Sequence, residues 1–344
     1  MGQNSIYQTI IEISRDLDLF TGGDSVNSHL ARAQHPYRTT NYIVIVGPYV
    51  FKRYQSARSF FAEQAVYARR RYWTFEIPEL IGSHAGDRGN WLVFNHVSGR
   101  SITQFSESGG DLRIVVEHIV SALSEFEKQA ITLPDIAFER KMWSGSFGPL
   151  QEIWQSFGRN DHLDAFCALT ELADSSLGAT PYVPCFDAYH DNMLITETPN
   201  TDLDPRIVYF DFDKAASLVP MGEQLSHIAA FPPTAPWTGR AVELYAAHHA
   251  VSILDMQRIV SISVFFRALS GVRDALKWRV TGENNVEPEA IKERRLAIFS
   301  ECLAIARASL NSLAKALPLS SRQHDAIVAL LDWLEQTQSH ERPA

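Results

Sequence analysis

Three polar clusters, far apart in the chain, carry side chains that could act together on a phosphoryl group. Lys52 stands near the end of the run Tyr49-Val50-Phe51-Lys52-Arg53-Tyr54. Asp187-Ala188-Tyr189-His190-Asp191-Asn192 precedes a short apolar run, and Asp211-Phe212-Asp213 closes another. Moving a phosphoryl group asks a protein for little covalent work. It needs a cation on the nucleotide phosphates, oxygen ligands for Mg²⁺ and a carboxylate to orient the attacking hydroxyl. Magnesium takes one or two protein carboxylates and keeps several waters. In that chemistry Lys52 would meet the phosphates, Asp187 would accept the hydroxyl proton, and Asn192 and Asp211 would hold the metal. Each position also has a plainer reading. Lys52 fits a surface lysine at a strand end, and the Asp187 to Asn192 run fits an Asx-rich turn capping a strand. Asp211 sits between Tyr209-Phe210 and Phe212, which favours burial, and a buried carboxylate needs a cation or a metal beside it.

The elements that must carry these residues are legible in outline. Tyr42 to Val46 and Tyr49 to Tyr54 are β-branched and aromatic runs around Gly47-Pro48, which predicts a β-hairpin. Ser56 to Trp73 reads as a helix with an apolar stripe of Phe61, Ala65, Ala68 and Tyr72, and Trp91 to Phe94 as a strand. Leu112, Val115, Val116, Ile119, Val120, Leu123 and Phe126 recur at helical spacing behind Asp111, a good N-cap. Two short strands are expected at Met193 to Thr196 and Ile207 to Phe212. Helices are expected at Arg240 to Leu254, Met256 to Val280, Pro288 to Leu317 and Arg322 to Gln338. Strands first and helices after give an α+β plan in two lobes, 1–97 and 98–344.

The stretch Cys185-Phe186-Asp187-Ala188-Tyr189-His190-Asp191-Asn192, followed by Tyr209-Phe210-Asp211-Phe212-Asp213, resembles the aminoglycoside phosphotransferase and choline kinase-like family. The resemblance covers roughly Tyr42 to Phe231. It implies a bilobal protein-kinase-like fold, with a small antiparallel β-rich N-lobe and a larger helical C-lobe. It also implies Mg²⁺, ATP or GTP as donor, and the hydroxyl or amine of a small acceptor, such as an antibiotic, amino alcohol, sugar or amino acid. By the same resemblance Glu63 would pair with Lys52. Phe94-Asn95-His96-Val97 would be the inter-lobe hinge, with Phe94 and His96 beside the nucleotide base. Asp213 could stand near the metal, and Gly22-Gly23 could belong to a loop over the phosphates. The chain departs from the family pattern at three points. Cys185-Phe186 replace a His-Gly pair that props the loop, Tyr189 replaces a His, and His227 replaces an Asp in Gly222-Glu223-Gln224-Leu225-Ser226-His227-Ile228-Ala229. A nucleotide-binding pseudokinase acting as a scaffold is the alternative these losses raise. A protein kinase is disfavoured, because the path from Asp211 to Pro232-Pro233 leaves little room for an activation loop.

The totals restrict the field further. Hydrophobic residues at 45% and charged residues at 21% are ordinary globular usage, which excludes a disordered chain. A net charge of -9 repels nucleic acid and suits a cationic small acceptor, for which Glu243, Asp255 and Asp274 are candidate partners on the late helices. Cys167, Cys185 and Cys302 show no paired spacing, so neither a disulfide framework nor a zinc site is expected. Met1 to Asp18 is amphipathic and carries Glu12, Arg15 and Asp16, unlike a signal peptide. Ile259 to Leu269, read as the longest apolar stretch, is interrupted by serines and Arg267. A cytoplasmic monomer or homodimer, without membrane or nucleic-acid partners, is the expectation.

Overall fold

The two β-branched runs around Gly47-Pro48 pair as strands β1 (Tyr42–Val46) and β2 (Tyr49–Tyr54), antiparallel from Tyr42 opposite Arg53 to Val46 opposite Tyr49. Gly47 turns the corner at φ 57°, where an L side chain is strained. The structure is a computed structural model and describes residues 3–20, 26–33, 42–87, 89–133, 136–143, 163–187, 189–196, 205–280 and 289–339. Strands β3 (Leu80–His84) and β4 (Asn90–Asn95) complete an antiparallel sheet in the order β1-β2-β4-β3. The expected strand at Trp91 to Phe94 is thus β4. Its neighbour β3 has little sequence signature, because Leu80-Ile81-Gly82-Ser83-His84 is short and carries glycine at its centre, where the register with β4 shifts.

Alternation along the strands sorts the sheet into two faces. Val44, Val46, Phe51, Trp91 and Val93 pack with Ile6, Ile10 and Ile13 of helix α1 (Gln3–Asp16) and Leu30 of α2 (Val26–Leu30) in one core. The amphipathic N-terminus is therefore a lid over one side of the sheet. The in-between positions, Lys52, Tyr54, Leu92 and Phe94, belong to the other face, with Lys52 opposite Leu92 in the register.

Helix α3 (Ala57–Ala68) starts at Ser56, whose hydroxyl accepts from the Ser59 N–H, and ends in a 3₁₀ turn at Arg70–Tyr72. It presents a different face from the one the sequence pattern favours. Phe60, Ala62, Glu63, Val66 and Tyr67 are buried, whereas Phe61 and Tyr72 of the expected stripe are more than half exposed. The helix has apolar residues on two sides, and the side holding Glu63 is the one turned inward.

Helix α4 (Ile102–Glu107) opens with a capping box between Ser101 and Gln104, and α5 (Leu112–Ala130) is capped by Asp111 as expected. The heptad-like run Val115, Val116, Ile119, Val120, Leu123 and Phe126 is buried throughout. Strands β5 (Met193–Thr196) and β6 (Arg206–Tyr209) form a separate two-stranded antiparallel ribbon. Strand β6 stops short of the expected Phe212, because Asp211 takes a left-handed backbone, φ 70°, that cannot continue an extended run. The ribbon is fastened on both edges. Arg100 and Ile195 exchange backbone bonds of 2.9 and 2.8 Å, and Tyr209 N donates to Glu76 O at 2.9 Å. The first contact needs Gly99, since a Cβ there would lie 2.8 Å from the Ile195 carbonyl oxygen.

The chain divides into two compact units, Met1–Glu139 with Pro184–Ser217, and Arg140–Val183 with Leu218–Ala344. This division is not the one expected at 97/98. The ribbon belongs with the first unit, to which it is hydrogen-bonded through Glu76 and Arg100. The second unit is helical: α6 (Leu163–Gly178), α7 (Ser226–Ala230), α8 (Thr238–His249), α9 (Ile253–Val280), α10 (Glu289–Ala316) and α11 (Ser321–Ser339). Helix α8 ends earlier than expected, at Ala250 in the left-handed region. Within α10, Leu296–Ala316 is the one stretch among the described residues long and apolar enough to cross a membrane. Its buried Phe299, Leu303, Ala306 and Leu313 form a single seam, the pattern of a helix packed by one face.

Candidate active site

Lys52, Glu63, Asp187, Asn192, Asp211 and Asp213 all belong to the first compact unit. Strand β2 delivers Lys52 at 3% exposure, and helix α3 delivers Glu63 at 1%. Lys52 Nζ donates to Glu63 Oε2 at 2.5 Å and also pairs with Asp211 Oδ1, 159 residues further along the chain. The surface-lysine reading of Lys52 is thereby excluded. An ammonium is buried here only because carboxylates meet it. Tyr54 adds its ring, whose centroid lies 4.8 Å from Nζ.

The charges do not balance around this one lysine. Burial pushes the Lys52 ammonium down, but Glu63 first, then Asp211 and Asp213, outweigh it and hold it above the usual lysine range. Burial pushes the Glu63 carboxyl up to about 7, with Lys52 pulling it down and Asp211 and Asp213 pushing it up. The two shifts point opposite ways for the ion pair, and the geometry decides between them: an ammonium 2.5 Å from the carboxylate keeps it charged. Burial is the main cause of the upward push on Glu63, and the neighbouring carboxylates Asp211 and Asp213 add to it. Asp213 is raised for the same reason, by burial and then by Asp211. A divalent cation among Asp211, Asp213 and Asn192 would relieve this excess. Among the described residues no group of three or more His, Cys, Asp or Glu side chains is arranged to hold a metal unaided. Magnesium takes one or two carboxylates and completes its shell from phosphates and water, so Asp211 with Asn192 would suffice to hold it.

The second half of the site is the loop ahead of β5. Asp187 is buried and adopts φ 53°, so both acidic positions, Asp187 and Asp211, sit in the left-handed region. Such backbone costs on the order of 1–3 kcal/mol and survives where the surroundings enforce it. They do so here. Asn192 Nδ2 donates to Asp187 O at 3.0 Å, Asn192 N donates to Tyr189 O at 2.8 Å, and Phe210 N donates to Asn192 O at 3.0 Å. The last bond ties the loop to the segment that presents Asp211. With its amide hydrogens turned toward Asp187, Asn192 has its carbonyl oxygen left to offer a metal.

Aromatic packing supports the loop at the place where the family pattern has a His-Gly pair. Phe186 is 2% exposed, with ring centroids 5.0 Å from Phe126, 5.2 Å from Tyr209, 5.3 Å from Phe75 and 5.6 Å from Phe212. Phe212 also meets Tyr67 of α3 at 5.6 Å, and Tyr67 meets Phe94 of β4 at 4.5 Å. A continuous set of rings thus runs from the Asp187 loop to the helix that carries Glu63. Cys185 contributes its backbone N–H to Ser217 O at 2.8 Å, and its thiol is buried, as expected of a structural cysteine. Replacing Phe186 by alanine is expected to cost about 3–5 kcal/mol of stability, the range for a fully buried phenylalanine. Urea unfolding of the two proteins measures it, and a cost under about 1 kcal/mol would mean the ring cluster does not hold the loop.

Other expectations fare differently. Phe94 is buried under Tyr67, and His96 is exposed with its backbone N–H donating to Pro48 O at 2.7 Å. That bond removes the His96 N–H from the groups offered to a nucleobase. Gly22-Gly23 lie outside the described residues. Glu243 pairs at the surface with Arg240, Asp274 pairs with Arg273, and Asp255 is exposed. His190 lies 3.6 Å from Asp191, and its ring centroid is 4.0 Å from that of Tyr189. One residue escaped the sequence reading altogether: Lys214, whose Nζ donates to Asp187 Oδ2 at 2.6 Å. The signal was present, a cation directly after Asp211-Phe212-Asp213. Nothing local could show that it reaches back 27 residues.

No family model matches the chain, and no curated protein sequence does. Solved structures do match, across most of their length. A choline/ethanolamine kinase family protein from Mesorhizobium loti matches at TM-score 0.54 and 16% identity, covering 90% of this chain and 93% of that one. The GDP complex of aminoglycoside 2'-phosphotransferase-IIIa matches at TM-score 0.60 and 13% identity, covering 89% and 98%. A putative aminoglycoside phosphotransferase from Ralstonia eutropha matches at TM-score 0.55 and 12% identity, covering 95% and 98%. At these identities the likeness is one of fold. The chain has the kinase-like α+β fold of these proteins, as the motifs around Asp187 and Asp211 led one to expect.

Proposed function

We propose that the chain is a magnesium-dependent phosphotransferase that moves the γ-phosphoryl of ATP or GTP onto a hydroxyl or amine of a small molecule. The observation that carries this reading is the convergence of Lys52, Glu63 and Asp211 from three distant segments, with the Asp187–Asn192 loop tied to the Asp211 segment. Structural ion pairs seldom combine a buried lysine, an excess of carboxylates and two acidic residues in left-handed backbone. Active sites do.

In the proposed reaction Lys52, held by Glu63, neutralises the nucleotide phosphates, and Asp187 receives the proton of the attacking hydroxyl or amine. Asn192 and Asp211, with Asp213 beside them, would hold magnesium. When bound, the metal offsets charge on the phosphate oxygens and orients them. Residues 1–97 are assigned to nucleotide binding, with Phe94 and His96 near the base through groups other than the His96 N–H, and 98–344 to catalysis and the acceptor. The acceptor is taken to be cationic, in keeping with the net charge of -9. Three free cysteines fit a reducing, cytoplasmic setting. The solved structures support the reaction class through their fold. The bound GDP of one of them leaves both ATP and GTP in play.

A panel of hydroxyl- and amine-bearing small molecules, each with MgATP and with MgGTP, tests the reading. At least one acceptor should release ADP or GDP in equal amount with phosphorylated product. Nucleotide binding without transfer to any acceptor would point to the scaffold alternative instead.

A further inference from the structure

We propose that Lys214 is the positioning residue for Asp187, fixing the carboxylate that takes the acceptor's proton and coupling it to the segment that presents Asp211. The inference deepens the phosphotransferase reading and rests on it. Its basis is geometric. Lys214 Nζ lies 2.6 Å from Asp187 Oδ2, while Asn192 Nδ2 binds the Asp187 backbone oxygen at 3.0 Å. Asparagine thus anchors chiefly the main chain of the proton acceptor, with a longer contact of 3.4 Å to Oδ2, and lysine supplies the shorter hold on its side chain.

Exposure distinguishes this contact from an ordinary surface ion pair. The Asp187 side chain is 8% exposed and the Lys214 side chain 48%. The lysine therefore covers a buried carboxylate from the solvent side, where pairs between two exposed groups contribute little. Asp187 outranks burial as the influence on Lys214 and holds the ammonium above the usual lysine range. Lys214 also stands three residues after Asp211, on a turn closed by Ala215 N to Phe212 O and Ser217 N to Lys214 O at 3.0 and 2.8 Å. A shift of that turn would move the metal-side carboxylate and the hold on the proton acceptor together.

In the step itself, a bond forms between the acceptor oxygen or nitrogen and the γ-phosphorus. The bond from that phosphorus to the bridging oxygen breaks, and its electron pair stays with the departing diphosphate. The acceptor's proton passes to Asp187, and Lys214 keeps its own. Its contribution is orientation, and misplacement of about 1 Å can cost on the order of 10²-fold in rate.

The experiment compares Lys214→Met and Lys214→Arg with the wild type in two measurements. With the acceptor found in the panel, Lys214→Met should lower kcat by about 10- to 100-fold at unchanged nucleotide KM, and Lys214→Arg should recover most of the loss. Independently of turnover, carbodiimide labelling read by peptide mass spectrometry should modify Asp187 several-fold faster in Lys214→Met than in the wild type. An active wild type whose kcat is unchanged by Lys214→Met overturns the role of Lys214 and leaves the phosphotransferase reading standing. So does a raised nucleotide KM at intact kcat, an equal loss in both variants, or equal labelling of Asp187. A wild type that phosphorylates no acceptor defeats the phosphotransferase reading and takes the positioning role with it, whatever the labelling shows.

Discussion

Replacing Asp187 by asparagine should lower kcat by about 10²- to 10⁴-fold, the range for losing a positioned proton acceptor, and leave nucleotide affinity essentially unchanged. The separation follows from the arrangement. Lys52 and Asp211 meet each other on one side of the site, whereas Asp187 is held by Asn192 and Lys214. Asparagine preserves the shape and tolerates the left-handed backbone at φ 53°. Lys214 loses a charged partner, but its stem is half exposed and water can take over. Unfolding temperature should therefore move little, and steady-state kinetics with a nucleotide titration decide the matter. A fall in nucleotide affinity as large as the fall in kcat would place Asp187 on the phosphates instead.

Replacing Asp211 by asparagine should remove turnover by about 10³-fold, since a metal at the phosphates contributes several kcal/mol and each 1.36 kcal/mol is a factor of ten. The same change should leave the protein at least as stable as before. Lys52 keeps Glu63 at 2.5 Å, and the crowding of Glu63, Asp211 and Asp213 around one ammonium is eased. Loss of activity together with held or raised stability is what a site selected for function predicts. Lys52→Met supplies the contrast. It leaves those carboxylates buried around an apolar chain and should destabilise by about 3–5 kcal/mol. Thermal melts of both variants beside the wild type make the comparison, and a strongly destabilised Asp211→Asn would mean that the Lys52 contact is structural.

The parts of the site that a sequence reader can find are those whose signal is local. Asp187 and Asn192 occupy one loop, Asp211 follows an aromatic run, and the hairpin bearing Lys52 announces itself through Gly47-Pro48 and β-branched flanks. Glu63 is less legible, because α3 has apolar residues on two sides and periodicity favours Phe61 and Tyr72, which the fold leaves exposed. Contacts with other elements, Lys52 on Glu63 and the rings around Phe60 and Tyr67, go with the side that turns inward. Strand β6 looked longer than it is because Phe210 and Phe212 continue the apolar run. The positive φ of Asp211 that breaks it is one aspartate takes more readily than most residues, but residue type alone does not fix it. The packing of Phe186 has no local signature, because its partners Phe75, Phe126, Tyr209 and Phe212 come from three other segments. Long-range side-chain pairing leaves no local signature in the sequence, and Lys214 is its plainest case.

The most direct test of the central claim is a calorimetric titration of ATP and of GTP onto the wild type and Asp211→Asn, each with and without Mg²⁺. The account predicts that Mg²⁺ tightens binding of one or both nucleotides to the wild type and that Asp211→Asn abolishes this gain while folding normally. Binding that is indifferent to Mg²⁺ in the wild type, or a gain that survives in Asp211→Asn, would contradict it.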